Sequence, residues 1–334
     1  MRKLLISVLI IPVLLSACNN PNNVKNTTLT IRTTAPQKNL QNNNLPKIVV
    51  TTSVLCDLTR QIAANTVNLN CLIPADVNPR NYKPKQEDVQ AINEAKLVLY
   101  NGYNLEPSLF SIIKANKNPV PKIAVAQVAV PKPRLSIQQG NKKLINPYLW
   151  HDAKYAAAML DVINDSLKKV APQNSKSYTA NTKKIKTDIA KLDKWIKSRI
   201  ASIPSYQRTL ITDHAELGYY TTAYGLKYET AFQSISKSED PSSPRLKPLI
   251  KNIRQARVPS IFISSAVNPQ LVKTVAKEAD VRVSERPLVT NRLSDKNTQN
   301  NTYQKMMMQN TRTIVEGLGG TYLIFRPVEQ KTNG

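Results

Sequence analysis

Few side chains in this sequence are of the types that carry out chemistry. Its 334 residues include only two histidines, His151 and His214, and three cysteines. No convincing Ser/His/Asp, Cys/His or paired-carboxylate constellation is visible, so nothing provides an activated nucleophile or a general acid–base pair. We therefore predict that the protein is not an enzyme.

The first cysteine, Cys18, ends a targeting segment. Arg2 and Lys3 supply positive charge, and residues 4–15 form an apolar run that is too short to span a bilayer. The ending Leu15-Ser16-Ala17-Cys18 resembles a bacterial lipobox, which implies a signal peptide over residues 1–17 and lipidation of the Cys18 thiol. Several acyl chains would anchor the protein stably in a bacterial membrane. We expect the remaining chain outside the cytoplasm, on the periplasmic or cell-surface side.

The other two cysteines, Cys56 and Cys71, form an even pair. Outside the cytoplasm such a pair can form a disulfide. Two buried thiols are the alternative, because Cys is also a common core residue. No histidine lies near either cysteine in the sequence, so the pair does not indicate a metal site.

Composition restricts the partners of the protein. A net charge of +25 predicts attraction to anionic surfaces. The Lys and Arg residues are scattered and are not interleaved with aromatic residues, so we predict no nucleic-acid binding. Residues 18–46 are rich in Asn, Thr, Pro and Gln, which predicts a disordered tether between the membrane and a monomeric folded part.

The stretch from Gln173 to Ile203 dominates the pattern of the folded part. It lies between Pro172 and Pro204 and contains neither Gly nor Pro. Apolar residues recur in steps of three and four, on one helical face, at Ile185, Ile189, Leu192, Ile196, Ile200 and Ile203. We predict a rigid helix over 172–204 that joins two lobes, 47–171 and 205–334. A long helix inside one domain is the alternative.

Strand and helix patterns alternate on both sides of this helix, which predicts parallel sheets. The expected fold class is α/β, with two lobes that each hold a mostly parallel sheet flanked by helices. The expectations include a strand over Lys122–Val130, an irregular loop over Pro131–Asn146 and a final strand over Thr321–Phe325.

Several phrases between Lys47 and Phe325 resemble those of one family, the solute-binding lipoproteins of bacterial ABC importers for zinc, manganese and iron. Asn101-Gly102-Tyr103-Asn104-Leu105-Glu106 is similar to its Asn-Gly-x-x-Leu-Glu signature. Three further phrases are similar to segments that carry its metal ligands: Asn78-Pro79-Arg80-Asn81-Tyr82-Lys83-Pro84, Asn146-Pro147-Tyr148-Leu149-Trp150-His151-Asp152 and Ile211-Thr212-Asp213-His214.

The resemblance implies a metal site of His and carboxylate ligands in a cleft between the lobes. The matching positions here are Arg80, Tyr148, His214 and Asn291, and only His214 keeps a metal-binding residue type. Arg80 is permanently charged and only donates hydrogen bonds. We predict a hydrogen-bonding cleft suited to an anion or a polar solute, with His214 as the one candidate metal ligand. His151 is an alternative ligand from a neighbouring position.

The resemblance implies a membrane-anchored solute-binding protein that works with an ABC permease and binds its solute in the cleft. Zinc or manganese is the cargo that the resemblance implies, and the replaced ligands point to a solute other than a bare ion. The alternative is an adhesion or scaffold lipoprotein that kept the fold and lost ligand capture.

Overall fold

The computed structural model describes residues 45–139, 142–230, 232, 240, 242–263, 268–294 and 301–325. In its first half, four parallel strands form one sheet in the order β2-β1-β3-β4. These strands are β1 (Lys47–Val50), β2 (Asn68–Cys71), β3 (Leu97–Tyr100) and β4 (Lys122–Ala124).

Helices cover both faces of this sheet. They are α1 (Ser53–Ala63), α2 (Gln86–Glu94), α3 (Pro107–Ala115) and α4 (Val125–Ala129). Ile48 and Val50 pack in the cluster that includes α1 and α4, whereas Val49 packs in a second cluster with α2 and α3. Because strand side chains alternate between faces, a continuous apolar run such as 48–50 requires a sheet that is buried on both sides.

A hairpin and two long helices follow. They are β5 (Ser136–Gln139), which pairs antiparallel with β6 (Lys142–Ile145), α5 (Ala153–Val170) and α6 (Ser175–Ala201). The second half then continues with β7 (Thr209–Thr212), α7 (Gly218–Tyr224), β8 (Lys227–Thr230), α8 (Leu246–Gln255), β9 (Ser260–Ile261), α9 (Pro269–Ala279), β10 (Arg282–Val283) and α10 (Tyr303–Gly317).

The strands of the second half are also parallel. β7 pairs with β8, and β9 pairs with β10. A single parallel bridge between Thr212 and Phe262 links the two pairs. The chain therefore repeats the parallel arrangement of the first half, with β9 and β10 reduced to two residues each.

Helix α6 is the element that both halves share. Its 27 residues form a rod of about 40 Å. The predicted apolar face is buried over its whole length, from Ile185 to Ile203. It packs in one continuous core with α1 and α5 on one side and with α7 and α10 on the other. This packing fixes how the two sets of strands sit around the helix.

The predicted fold class is confirmed, with parallel sheets, flanking helices and one long central helix. The boundaries 47–171, 172–204 and 205–334 stay predictions. The signal peptide and nearly all of the tether lie outside the described residues. Within the described part of the chain, no helix combines the length and apolar character needed to span a membrane.

Two predictions around the hairpin are wrong. The predicted strand Lys122–Val130 ends at Ala124, and the chain turns into α4, where Val125 and Ala126 are buried. A short apolar run does not distinguish strand from helix. The predicted irregular loop Pro131–Asn146 contains β5 and β6. Much of this hairpin is exposed and polar, so it lacks the alternation that identifies a half-buried strand.

The predicted final strand, Thr321–Phe325, is also wrong, because among the described residues this segment pairs with no strand. It lies against α6, where the Trp195 indole N–H donates to the Leu323 carbonyl at 3.0 Å. The rings of Tyr322 and Phe325 contact the Trp195 ring. Tyr322 and Phe325 therefore pack against a helix face and not within a sheet, while Leu323 and Ile324 are exposed.

A disulfide joins Cys56 in α1 to Cys71 at the end of β2, with 5.8 Å between their Cα atoms. It closes a loop between residues 15 positions apart. The Arg60 guanidinium lies 3.2 Å from Cys56 Sγ and 3.4 Å from Cys71 Sγ. The bond ties α1 to the strand that leads into the loop of Arg80.

Opening this bond should lower the free energy of unfolding by about 3 kcal/mol. The reason is that the unfolded chain gains conformational entropy when a closed loop of about 15 residues is released. The measurement is urea unfolding of the Cys56→Ala/Cys71→Ala variant. Reduced wild-type protein is the matched control, since it keeps both sulfur atoms. Equal midpoints for oxidised and reduced protein would contradict the prediction.

Candidate functional site

A cavity of about 530 Å³ contains all four residues predicted for the cleft, namely Arg80, Tyr148, His214 and Asn291. Its walls come from loops that follow β2, β7 and β10 and from hairpin strand β5. The carboxyl ends of parallel strands are the usual place for ligands in α/β proteins. The cavity therefore lies where ligands are expected, next to the carboxyl ends of parallel strands from both halves of the chain.

Arg80 is held by the turn that carries it. Residues Pro79–Asn81 form a short 3₁₀ helix, and the Asn78 side-chain oxygen accepts from the backbone N–H of Arg80 at 3.0 Å. The Arg80 Nε–H donates to the Tyr148 hydroxyl at 2.9 Å. Its guanidinium carbon lies 5.5 Å from the centre of the Tyr148 ring. The charged group therefore lies against Tyr148, and both residues line the cavity.

Tyr148, the partner of Arg80, is itself held firmly in place. Its side chain is buried, and its backbone N–H donates to the Asn146 side-chain oxygen at 3.0 Å. Burial, and next the negative charge of Glu216, raises the pKa of Tyr148. The phenol therefore keeps its proton, which opposes its use as an anionic metal ligand.

Glu216 is the central residue that sequence reasoning missed. It lies in a 3₁₀ turn, Ala215–Leu217, two residues after His214. Its carboxylate accepts from the Thr290 hydroxyl and, at 3.0 Å, from the Asn291 side-chain N–H. Its nearness to His214 in the sequence was the available signal.

Asn291 is engaged at both ends of its amide. Its N–H donates to Glu216, while its carbonyl oxygen accepts from the Arg292 guanidinium at 3.0 Å. The carbonyl oxygen is the only atom of the Asn291 side chain that could bind a cation. This oxygen already faces the positive side chain of Arg292, which disfavours a cation at the same position. Arg292 is a second residue of the cavity that the sequence analysis overlooked.

His214 lies at the rim, directly after β7. Its Nδ1 is 3.0 Å from the carboxylate of the buried Asp213, and its side chain is 48% exposed. Its backbone carbonyl accepts from the Tyr228 hydroxyl at 2.6 Å and from the Thr212 hydroxyl at 2.7 Å. The backbone is therefore fixed while one ring edge faces outward.

The charges of the cavity do not favour a bare cation. Its walls carry two guanidinium groups, Arg80 and Arg292, against one carboxylate, Glu216. That carboxylate already accepts hydrogen bonds from Thr290 and Asn291. Within the described ranges, no group of three or more His, Cys, Asp or Glu residues could hold a metal ion. Tight zinc sites ordinarily have four ligands.

His151, the alternative ligand, does not line the cavity. It is fully buried, and its Nε2 lies 2.6 Å from the carbonyl oxygen of Thr290. A carbonyl only accepts, so Nε2 carries the proton. Burial lowers the pKa of His151 to about 4. This neutral imidazole links the Leu149–His151 turn to the loop that carries Thr290 and Asn291.

Comparisons with known proteins agree with this architecture. The family model described as "zinc-uptake complex component A, periplasmic" matches residues 48–317. The manganese ABC transporter substrate-binding lipoprotein PsaA of Streptococcus mitis is 28% identical over 276 residues, 81% of this chain and 89% of the relative. The manganese-binding lipoprotein MntA of Bacillus subtilis is 29% identical, with the same coverage of both chains.

Solved structures give the same result. The periplasmic zinc-binding protein TroA of Treponema pallidum superposes with a TM-score of 0.72 at 25% identity. The match covers 82% of this chain and 99% of that structure. The two-lobed architecture with one long helix is therefore shared over nearly the whole neighbour.

Two substitutions test the role of His151. His151→Gln keeps an N–H donor, whereas His151→Phe leaves the Thr290 carbonyl without this donor and should lower the free energy of unfolding at pH 7 by about 1–3 kcal/mol.

The stability of the protein should also depend on pH through His151. As pH falls from about 6.5 to about 4, the histidine of the unfolded chain binds a proton that the buried histidine of the folded chain excludes. Wild-type protein should lose up to about 3 kcal/mol more than His151→Gln over this window.

The measurement is denaturant unfolding of the three proteins at a series of pH values. Comparison with His151→Gln removes the contribution of every other titrating group. Parallel pH profiles for wild-type protein and His151→Gln would contradict a neutral, buried His151.

Proposed function

Because the chain belongs to the family of periplasmic zinc-uptake components, we propose that it is the solute-binding component of an ABC importer of the transition-metal type. The proposed partner is a membrane permease, to which the protein delivers the solute from its cavity. PsaA is named as an ABC transporter substrate-binding lipoprotein and MntA as a manganese-binding lipoprotein, which supports the same role here. A transport role also agrees with the lack of a catalytic constellation in the sequence.

The proposed location is outside the cytoplasm, on a bacterial membrane, with the lipid on Cys18. The name "lipoprotein" carried by the relatives supports this anchor. A monomer anchored in this way would present its cavity close to the permease. The tether over residues 18–46 would provide the necessary freedom of movement.

The proposed solute is an anion and not a bare divalent cation. The observation that carries this proposal is the pair of guanidinium groups, Arg80 and Arg292, against a single carboxylate that is already hydrogen-bonded. An unpaired cation would lie beside two fixed positive charges, whereas a carboxylate or phosphate oxygen would accept from them. A chelated zinc or manganese ion with net negative charge would keep the cargo of the family and meet the same donors.

The size and lining of the cavity support an organic solute. Its volume of about 530 Å³ lies in the range of small-molecule sites and far exceeds that of a metal ion. Its lining includes the apolar residues Ile137, Leu288 and Val289. A ligand with an anionic group and an apolar part would therefore have partners for both of its parts.

The direct test is elemental analysis and native mass spectrometry of protein purified from its own host without added metal. We expect a bound small anion, and the elemental analysis decides whether it carries a metal. Stoichiometric zinc, manganese or iron without an organic ligand would contradict the anionic solute. Protein with no bound solute and no ligand-induced thermal stabilisation would favour the scaffold alternative.

Substitution of Arg80 should separate its charge from its position. Arg80→Met should weaken binding of the co-purified anion by about tenfold or more, because a charge-assisted hydrogen bond is lost. Lys83→Met is the matched control, since Lys83 lies in the same loop but outside the cavity. Calorimetry measures both, and equal affinities for the two variants would contradict the role of Arg80.

Restoring ligand-type side chains should restore cation binding. The variant Arg80→His/Tyr148→His/Asn291→Asp should bind one zinc ion roughly 100-fold or more tightly than wild-type protein, because four N and O ligands would then be available with His214. Adding His214→Ala to this variant should abolish the gain. Calorimetry without zinc binding by the triple variant would mean that the positional match to the family's ligands is wrong.

A further inference from the structure

The outward face of α6 carries a strong excess of positive charge. The helix has eight basic residues and two acidic ones. Five lysines form what we call the basic stripe: Lys176, Lys183, Lys184, Lys191 and Lys194. At 3.6 residues per turn, they fall within an arc of about 100° and extend over about 27 Å along the axis.

The basic stripe lies opposite the buried face of the helix. The apolar residues of α6 face the shared core, so the lysines point toward solvent, and all of them except the half-buried Lys191 are exposed. Among the described residues, the ion pairs of α6 are Lys186 with Asp161 and Lys197 with Asp193. The five lysines of the stripe thus take no part in the ion pairs of the described chain.

The residue types of the stripe narrow the choice of partner. All five are Lys, which acts as a flexible point charge, and none is Arg, which binds single phosphates in a bidentate manner. No exposed aromatic side chain is interleaved with them, as stacking on single-stranded nucleic acid would require. A straight array of point charges fits a flat layer of many negative charges better than one discrete anion.

The sequence also limits where the domain can lie. If the chain is anchored through Cys18, the segment from Cys18 to Lys47 cannot place β1 farther than about 100 Å from the membrane. An anionic phospholipid surface is therefore present at high local concentration. We propose that the basic stripe of α6 docks the folded domain on the anionic headgroups of the membrane that holds the anchor.

This docking is separate from solute binding. No residue of α6 lines the cavity, so contact through the stripe leaves the solute site unaltered. Each Lys near an anionic surface strengthens binding by roughly fivefold at physiological ionic strength. The attraction falls off beyond a Debye length of about 8 Å, so only the outward face of the helix contributes strongly.

The test uses the processed chain from position 18 with Cys18→Ser, so that no lipid is attached. Its sedimentation with vesicles is measured for pure phosphatidylcholine and for mixtures with about one-third phosphatidylglycerol. We expect binding only to the anionic vesicles and release at about 1 M salt, where the Debye length is about 3 Å. Failure to bind the anionic vesicles would overturn the proposal.

A pair of variants locates the contact. Lys176→Glu/Lys183→Glu/Lys194→Glu should weaken vesicle binding by about 100-fold or more. Lys251→Glu/Lys273→Glu/Lys277→Glu changes the net charge equally at exposed positions of α8 and α9 and should retain most of the binding. Equal losses would mean that net charge alone acts, which would overturn docking through the stripe.

Both variants should keep the thermal unfolding midpoint and the solute affinity of the parent chain. These controls separate the two proposals. If the parent chain binds no solute, the proposed function is contradicted, but the vesicle result still stands. Binding of the parent chain to an acidic polysaccharide, but not to anionic vesicles, would assign the stripe to another partner and overturn the membrane proposal.

Discussion

The buried face of α6 is the constraint on which the rest of the structure depends. Ile189, Leu192 and Ile196 pack in one continuous core with elements of both halves. Deforming this rod would expose apolar surface on both sides, at a cost of about 25 cal/mol per Å². The loops that follow β2, β7 and β10 are therefore held at a nearly fixed separation, and the cavity between them is largely preformed.

Within that fixed frame, the charges around Tyr148 set the chemistry of the cavity. Arg80 donates to the Tyr148 hydroxyl, and the negative charge of Glu216 raises the pKa of the same phenol, so a positive and a negative charge act on one neutral side chain. Arg292 adds a second positive charge through Asn291. The carboxylate that could attract a metal ion is thereby used inside the protein. The guanidinium groups of Arg80 and Arg292 line the cavity, and their positive charge is the physical basis for an anionic solute.

The main architecture and four of the residues that line the cavity could be predicted from the sequence. Strong periodicity predicted α6, and the family resemblance predicted one shared cleft for Arg80, Tyr148, His214 and Asn291. Glu216 was missed, although it lies two residues after His214, because its role depends on a turn that brings its carboxylate to Thr290 and Asn291. The β5–β6 hairpin was missed because exposed polar strands lack apolar alternation. Predictions thus failed where tertiary contacts, and not local pattern, decide the conformation.

The central claim is that fixed positive charge has replaced cation ligands in the cavity. The most direct measurement is an anomalous difference map, recorded at the zinc absorption edge, from crystals soaked in zinc. The claim predicts no peak within the cavity, with Arg80 and Tyr148 still in contact. A strong peak coordinated by His214 and Glu216, with Arg80 displaced, would contradict it.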